Sequence, residues 1–160
     1  MGVGVKPDPT LTVSVMKGRR WDGDDSCHDA AGDGDLQRLQ QRIEAGSPWD
    51  ERTCVAAAGG GHLHVLQWLR SQRPRCPWNA YTCARAAEGG HWHILKWLRS
   101  QRPRCPWDKI TCANAASGGH LHILQWARRH GCPWDEETCA YAAFGGHFHI
   151  LQWARQQGCP

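Results

Sequence analysis

The sequence predicts an all-α fold in which about five helix-turn-helix units stack into a solenoid. Three observations lead to this expectation. A cassette recurs four times along the chain, a Gly-Gly pair divides each copy into two short stretches, and good helix start and stop residues bound those stretches. In a repeat array with a period of about 20 to 50 residues, each unit buries its apolar face only against its neighbours. Such an array is typical of a binding surface rather than of a catalytic pocket.

The cassette opens on a Pro-Trp step and closes on a Trp. Its copies span residues 47–68, 76–97, 105–126 and 132–153. The Thr-Cys step inside each copy marks the period, because successive cysteines of this step are separated by 29, 29 and 27 residues; they are Cys54, Cys83, Cys112 and Cys139.

A divergent unit precedes the four copies. Cys27 lies 27 residues before Cys54, and the stretch that follows keeps Leu36, Leu39 and Ile43 on one helical face among Gln, Arg and Glu. A terminal repeat needs such a polar outer face to remain in solution. We therefore expect five units, the first of them a cap, near residues 26–48, 49–77, 78–106, 107–133 and 134–160.

The last unit indicates how each helix pair is bounded. Asp135 is a good N-cap, and helix one is predicted to run through Ala143. Gly145-Gly146 ends it, because Gly tolerates the left-handed conformation at a helix terminus. Helix two is predicted to start at His147 and to stop at Gly158.

Composition limits the classes of protein to consider. At 160 residues the chain is one domain's worth of sequence, and no stretch approaches the roughly 18 apolar residues of a membrane span. Residues 1–25 show no sustained period, so we expect a flexible N-terminal leader there. We expect no membrane contact and a cytoplasmic location.

The nine cysteines are predicted to be buried thiols. Their number is odd, no export signal is visible, and eight of them fall at two fixed places in the four full units. Cys is among the most often buried residue types, and disulfides are rare in a reducing compartment.

The cassette resembles the ankyrin repeat. The family's first helix ends in Ala-Ala-x-x-Gly-His, matched by residues 86–91 and their counterparts, and its second helix is similar to residues 119–126. The first unit, at residues 28–36, is closer still to the family pattern, and the resemblance covers roughly residues 26–159. It implies an ankyrin-like solenoid.

These units are shorter than the family's, which run to about 33 residues. The missing residues fall between Gly131 and Thr138, where the family builds a β-hairpin finger, so we expect that finger to be shortened or absent. The short, Cys- and Trp-rich variety is similar to ankyrin arrays of large amoebal DNA viruses, algae and other protists. If the protein is viral, the expected location is the host cytoplasm.

The resemblance implies a non-catalytic module that binds another protein, of unknown identity, through the helix-one face, which is concave in the family. Framework positions hardly change between units, whereas four positions around helix one vary freely. Tyr, Arg and exposed Phe at such positions are favoured interface types. The predicted partner-binding residues are Tyr81, Arg85, Glu88, Ile110, Asn114, Ser117, Glu137, Tyr141 and Phe144.

A basic edge offers an alternative, in which nucleic acid or another acidic partner follows the ends of the second helices. Stacked units would align these arginines, although Arg near a helix C-terminus also complements the helix dipole. We do not expect nucleic acid or a small molecule as the main partner. The basic edge comprises Arg70, Arg73, Arg75, Arg99, Arg102, Arg104, Arg128 and Arg129.

A zinc-binding Cys/His repeat is a further alternative, since every full unit offers a set such as Cys76, Cys83, His91 and His93. The Cys-x6-Cys spacing is longer than the usual Cys-x2–4-Cys of zinc sites, and two histidines two apart lie about 200° apart around a helix. His91 would otherwise start helix two and bond to nearby backbone. Four equivalent Cys-His sets also argue against a unique nucleophile. We therefore expect no metal, no cofactor and no catalytic residue.

The last unit is expected to leave a flank under-covered, formed by Ile150, Leu151 and Trp153. No polar capping helix follows it within the sequence. This flank could support self-association through the uncapped C-terminal unit.

Overall fold

The computed structural model describes residues 26–160, and the predicted leader at residues 1–25 lies outside the described residues. The described part of the chain is all-helical, with ten helices and no strand, which confirms the all-α prediction there. The helices are α1 (Cys27–Gly32), α2 (Leu36–Glu44), α3 (Glu51–Gly59), α4 (Leu63–Ser71), α5 (Ala80–Glu88), α6 (Trp92–Ser100), α7 (Lys109–Ser117), α8 (Leu121–Arg129), α9 (Glu136–Phe144) and α10 (Phe148–Gln156). Each pair comprises a first helix (α1, α3, α5, α7, α9) and a second helix (α2, α4, α6, α8, α10).

A side-chain cap begins each first helix. Asp135 accepts a hydrogen bond from the backbone N–H of Glu137, as the sequence predicted for this N-cap. Asp50, Asn79 and Asp108 do the same at the starts of α3, α5 and α7. The cap satisfies one of the backbone N–H groups that a helix leaves without a partner in its first turn.

Glycine ends each first helix and turns the chain into the second. The second glycine of each pair adopts a positive φ, +80° at Gly119 and +73° at Gly146, where other L-residues are strained. The predicted boundaries of the last unit are confirmed, since α9 ends at Phe144, His147 is the N-cap of α10, and Gly158 follows its end.

The first helices pack side by side, so that α3, α5 and α7 each contact the first helix before and after them. Small side chains permit this close approach, and Ala87 and Ala116 are fully buried in it. Each second helix then covers its own first helix with a larger apolar face, as Ile94 and Leu95 do in α6. The core therefore lies between the two layers of helices, and Cys139, Ala154 and Cys159 form a separate small cluster in the last unit.

The Pro-Trp steps lie at the seams between units. Trp78, Trp107 and Trp134 are half-buried against the core. A guanidinium group covers each ring, with Arg99 3.9 Å from the ring centre of Trp107. The same relation joins Arg70 to Trp78 at 3.8 Å and Arg128 to Trp134 at 4.1 Å. The tryptophan and the arginine thus close the seam together.

All nine cysteines are free thiols and buried. The cysteine that follows each of α4, α6, α8 and α10 donates to the backbone carbonyl of that unit's N-cap residue, as Cys105 does to Asn79 at 3.4 Å. The neighbouring Cys105 thiol and burial both raise the pKa of Cys83. Burial and the adjacent Cys139 thiol raise the pKa of Cys159 to about 12. These thiols therefore stay neutral and serve as small packing groups.

The flank predicted to be under-covered is only partly so. Ile150 is fully buried, which makes that part of the prediction wrong, while Leu151 and Trp153 are half-buried. Leu124, the counterpart of Leu151 in α8, is fully buried. The reason lies in the stacking, because one unit covers the next mainly through the first helices. The surface left open at this end therefore lies on α9, at Ala140, Ala143 and Phe144.

Candidate functional site

The predicted partner-binding residues lie on one exposed face of the first helices. Within each helix they are spaced i, i+4 and i+7, which places them on one side of an α-helix. We call this surface the helix-one face; it comprises Tyr81, Arg85 and Glu88 of α5, Ile110, Asn114 and Ser117 of α7, and Glu137, Tyr141 and Phe144 of α9.

Polar residues of the helix-one face connect across units. Arg85 Nη1 lies 2.6 Å from Glu88 Oε2 in the same helix, and Asn114 Nδ2 donates to that oxygen from α7 at 3.3 Å. Arg85 also lies over Gly59 of α3, where an added Cβ would be 3.4 Å from Nε. Three successive units thus contribute to one polar cluster at the centre of the face.

Aromatic residues flank this cluster. Tyr81 is 55% exposed, Tyr141 is 44% exposed and Phe144 is 90% exposed. Ile110 and Ser117, by contrast, are half-buried between units. The largest apolar contacts that this face offers to a partner therefore come from α5 and α9.

Glu137 belongs to a second charged group on the same face. Lys109 Nζ lies 2.6 Å from Asp135 Oδ2 and 3.9 Å from Glu137 Oε2. The hydrogen bond to Asp135, followed by the charges of Asp135 and Glu137, raises the pKa of Lys109. This lysine, at a variable position in α7, bridges to the N-terminus of α9.

A histidine at the start of α4, α6, α8 and α10 joins each of these units to the one before it. His91 Nε2 lies 2.9 Å from the carbonyl oxygen of Gly59 in the preceding unit, so the expected bond to backbone is confirmed. We call the repeated contact the histidine ladder; it links His62 to Gly32, His91 to Gly59, His120 to Glu88 and His147 to Ser117. Burial lowers the pKa of His120. The neutral ring, with Nε2 protonated, is the form that donates this bond.

The ladder bears on the predicted self-association. In the first unit Asp35 stands where the other units have histidine, and its carboxylate caps α2 through Arg38 N. An acidic side chain cannot donate to a carbonyl at neutral pH. A head-to-tail contact between copies would therefore lack the bond that joins units within the chain, and self-association stays a prediction.

The structure divides the predicted basic edge into two groups. Arg70, Arg99 and Arg128 are half-buried over tryptophan rings, and each donates to a backbone carbonyl, as Arg99 does to Cys105 at 2.6 Å. These three residues hold the seams as well as carrying charge. The other five are exposed, and they are Arg73, Arg75, Arg102, Arg104 and Arg129.

The residues weighed as a zinc set do not converge. Cys83 lies beside Cys105 rather than Cys76, and His91 is directed at the Gly59 carbonyl. Among residues 26–160, no group of three or more His, Cys, Asp or Glu side chains is placed to hold a metal ion.

One exposed apolar residue escaped the sequence reasoning. Phe148 at the start of α10 is 70% exposed, whereas its counterparts Leu63, Trp92 and Leu121 are half-buried. Phe144 and Phe148 are thus both exposed aromatic residues of the last unit. The exposure of Phe148 becomes apparent when the burial of equivalent positions is compared between units, because all four positions carry apolar or aromatic residues.

Comparisons with known proteins do not place the chain in a family. No family model and no curated protein matches the chain. The described residues contain no helix long and apolar enough to cross a membrane. Residues 26–160 thus form an all-helical fold of five successive helix pairs.

Proposed function

We propose that the chain is a non-catalytic, ankyrin-like interaction module that binds another protein through the helix-one face. One observation carries the proposal. The residues that vary between otherwise near-identical units occupy the same four positions around the first helices, and the exposed ones among them include Tyr81, Tyr141 and Phe144. A surface that only needed to be solvated would more often carry Lys, Glu or Ser there, whereas aromatic residues and Arg are enriched at interfaces.

The arrangement of the face supports this function. The polar cluster of Arg85, Glu88 and Asn114 is already connected before a partner binds. Pre-formed hydrogen bonds lower the side-chain entropy lost on association. The flanking aromatic residues supply apolar area, so the face combines a polar centre with separate aromatic anchors.

The resemblance to the ankyrin repeat supports the proposed mode of binding. The helix pair in each unit, the glycine turn and the Gly-His start of helix two fit that pattern, and the short connections leave the helices as the available surface. On the same resemblance we propose a cytoplasmic location.

The test compares two variants that carry four alanine substitutions each. The first carries Tyr81→Ala, Arg85→Ala, Tyr141→Ala and Phe144→Ala on the helix-one face. The matched control carries Gln67→Ala, Lys96→Ala, Gln125→Ala and Gln152→Ala, which occupy one equivalent position on the second helices. Both are checked for folding by circular dichroism and used with wild type in affinity capture from cell lysate with quantitative mass spectrometry.

We expect a captured protein that is lost with the helix-one variant and retained by the control, followed by the same difference in Kd with that partner purified. Equal retention by both variants, or a loss confined to the control, would contradict the proposed face.

A further inference from the structure

Charge is divided between the two layers of helices. The second helices α4, α6, α8 and α10, with the turns beside them, span residues 60–77, 89–106, 118–133 and 145–160 and contain no Asp or Glu. We call their outer surface the basic face. Its Lys and Arg residues are Arg70, Arg73, Arg75, Lys96, Arg99, Arg102, Arg104, Arg128, Arg129 and Arg155.

All acidic residues between positions 51 and 160 lie instead in the first-helix layer. They either belong to a first helix or cap one, and they are Glu51, Glu88, Asp108, Asp135, Glu136 and Glu137. Between positions 51 and 160, no Asp or Glu side chain therefore neutralises the basic face from within the same layer, and its positive potential is available to a partner.

A recess lies on the basic face at each of three successive seams. The recess between α4 and α6 has a volume of about 300 Å³, that between α6 and α8 about 240 Å³, and that between α8 and α10 about 420 Å³. Each has an arginine of one unit on one side and a tryptophan of the next helix on the other, the pairs being Arg70 with Trp97, Arg99 with Trp126 and Arg128 with Trp153.

The arginine common to the recesses is held in place before any ligand binds. Arg99 Nη1 donates to the Cys105 carbonyl at 2.6 Å, and the plane of its guanidinium lies over Trp107. Arg70 and Arg128 make the same two contacts in their own units. A guanidinium has five N–H groups, so one such bond leaves others for an anion.

A second, exposed arginine completes each recess. Arg75 lines the first recess, Arg104 the second and Arg129 the third. In the part of the chain that the structure describes, none of the three forms an ion pair. At least two guanidinium groups, one held by its hydrogen bond and one exposed, thus line every recess, and Arg102 adds a third in the first recess.

The chemistry of the recesses favours carboxylates over nucleic acid. Single strands are bound by phosphate contacts together with bases stacked on open aromatic faces. Here a guanidinium already covers a face of Trp78, Trp107 and Trp134, and His130 lies over Trp126 with ring centres 4.4 Å apart. Arginine pairs with a carboxylate through two parallel hydrogen bonds, and a side-chain carboxylate fits a recess of this volume.

The geometry points to the basic face as a binding surface for an extended acidic polypeptide that places carboxylates in successive recesses. This surface lies on the second helices, whereas the proposed protein-binding face lies on the first helices. The chain would therefore hold two partners, or two parts of one partner, on opposite layers.

The test measures fluorescence anisotropy with three dye-labelled probes of equal length: a peptide of alternating Glu and Ser, a peptide of alternating Lys and Ser, and oligouridylate. Wild type is compared with Arg75→Gln, Arg104→Gln, Arg129→Gln, which removes one exposed charge from each recess. A matched variant, Arg38→Gln, Arg52→Gln, Lys109→Gln, removes the same total charge at positions that belong neither to the basic face nor to the helix-one face. Circular dichroism establishes that both are folded.

We expect the Glu peptide to bind wild type, to weaken with added salt, and to lose about ten-fold in affinity in the recess variant. The matched variant should bind within about two-fold of wild type, and the Lys peptide should not bind. Equal weakening in both variants would overturn the proposal, because it would reduce the effect to net charge. Tighter binding of oligouridylate than of the Glu peptide, or binding of neither, would overturn it as well.

Discussion

An interior unit and the last unit have nearly the same sequence and different surroundings. In α7, Ala113 and Ala116 are fully buried because α9 packs on them, whereas their counterparts in α9, Ala140 and Ala143, are exposed. Identical residues at identical helix positions thus differ in burial according to the neighbouring unit. In an array, the contribution of a framework residue to the free energy of unfolding therefore depends on the neighbouring unit that packs on it, and not only on its own unit.

The largest expected effect comes from a charge placed in a seam. Ala116→Asp would bury an unpaired carboxylate between α7 and α9, and we expect it to lower the free energy of unfolding by about 3 kcal/mol or more. The matched change Ala143→Asp should cost less than about 1 kcal/mol, because its carboxylate reaches water. Urea unfolding followed by circular dichroism measures both, and equal losses would refute the difference in burial.

Glycine substitutions give a smaller contrast. Gly119→Ala and Gly146→Ala both place Ala at a positive φ, at a cost of about 1 kcal/mol each. At Gly119 the new Cβ would also lie 2.7 Å from Cε1 of His147, whereas Gly146 has open space around it. We therefore expect Gly119→Ala to be the more destabilising by about 1–2 kcal/mol. Equal shifts in the thermal midpoint would show that the ring moves aside freely.

The histidine ladder predicts a difference between two histidines of one unit. His91→Ala removes the donor to the Gly59 carbonyl and should lower the free energy of unfolding by about 1 kcal/mol. His93→Ala changes an exposed ring and should have an effect within about 0.5 kcal/mol. The two variants are compared in parallel denaturant titrations. A loss at His93 as large as that at His91 would show that ring packing, rather than the bond, stabilises the seam.

The smallest expected effect is a dependence on pH. Burial lowers the pKa of His120 below the ordinary histidine value, so the unfolded chain binds this proton more readily than the folded one. Its contribution to stability is therefore complete above the unfolded pKa and declines as the pH falls below it towards the folded pKa. Titration of the ring proton by NMR should give a midpoint for His120 below the ordinary histidine value of about 6.5. A midpoint above it would reverse the sign.

Local features of the fold were predictable from the sequence. Asp135 and its counterparts cap helices through contacts two residues away, and Gly146 adopts the conformation that a helix end requires. Both depend on residue type and near neighbours alone. The predicted helix-one face likewise follows from spacing within one helix, although its binding role stays a prediction.

Contacts between units were less predictable. The histidine ladder pairs residues 30 to 32 positions apart, and its acceptor is a backbone carbonyl that any residue possesses. Arg99 also lies over the ring of Trp107, and predicting this contact requires the path of the turn between the two residues. The prediction of an open flank at Ile150 was wrong for the same reason, since a helical pattern does not state which side the next unit covers.

The histidine ladder also makes the units interchangeable parts. Its donor is the same side chain in four units, and its acceptors belong to Gly, Gly, Glu and Ser, so the bond ignores the identity of the residue that accepts it. If a whole unit were duplicated or deleted in the gene, the two units brought together would still be able to form the same histidine-to-carbonyl hydrogen bond. Length could then change in single genetic events, while the exposed positions of each copy diverge independently towards different partners.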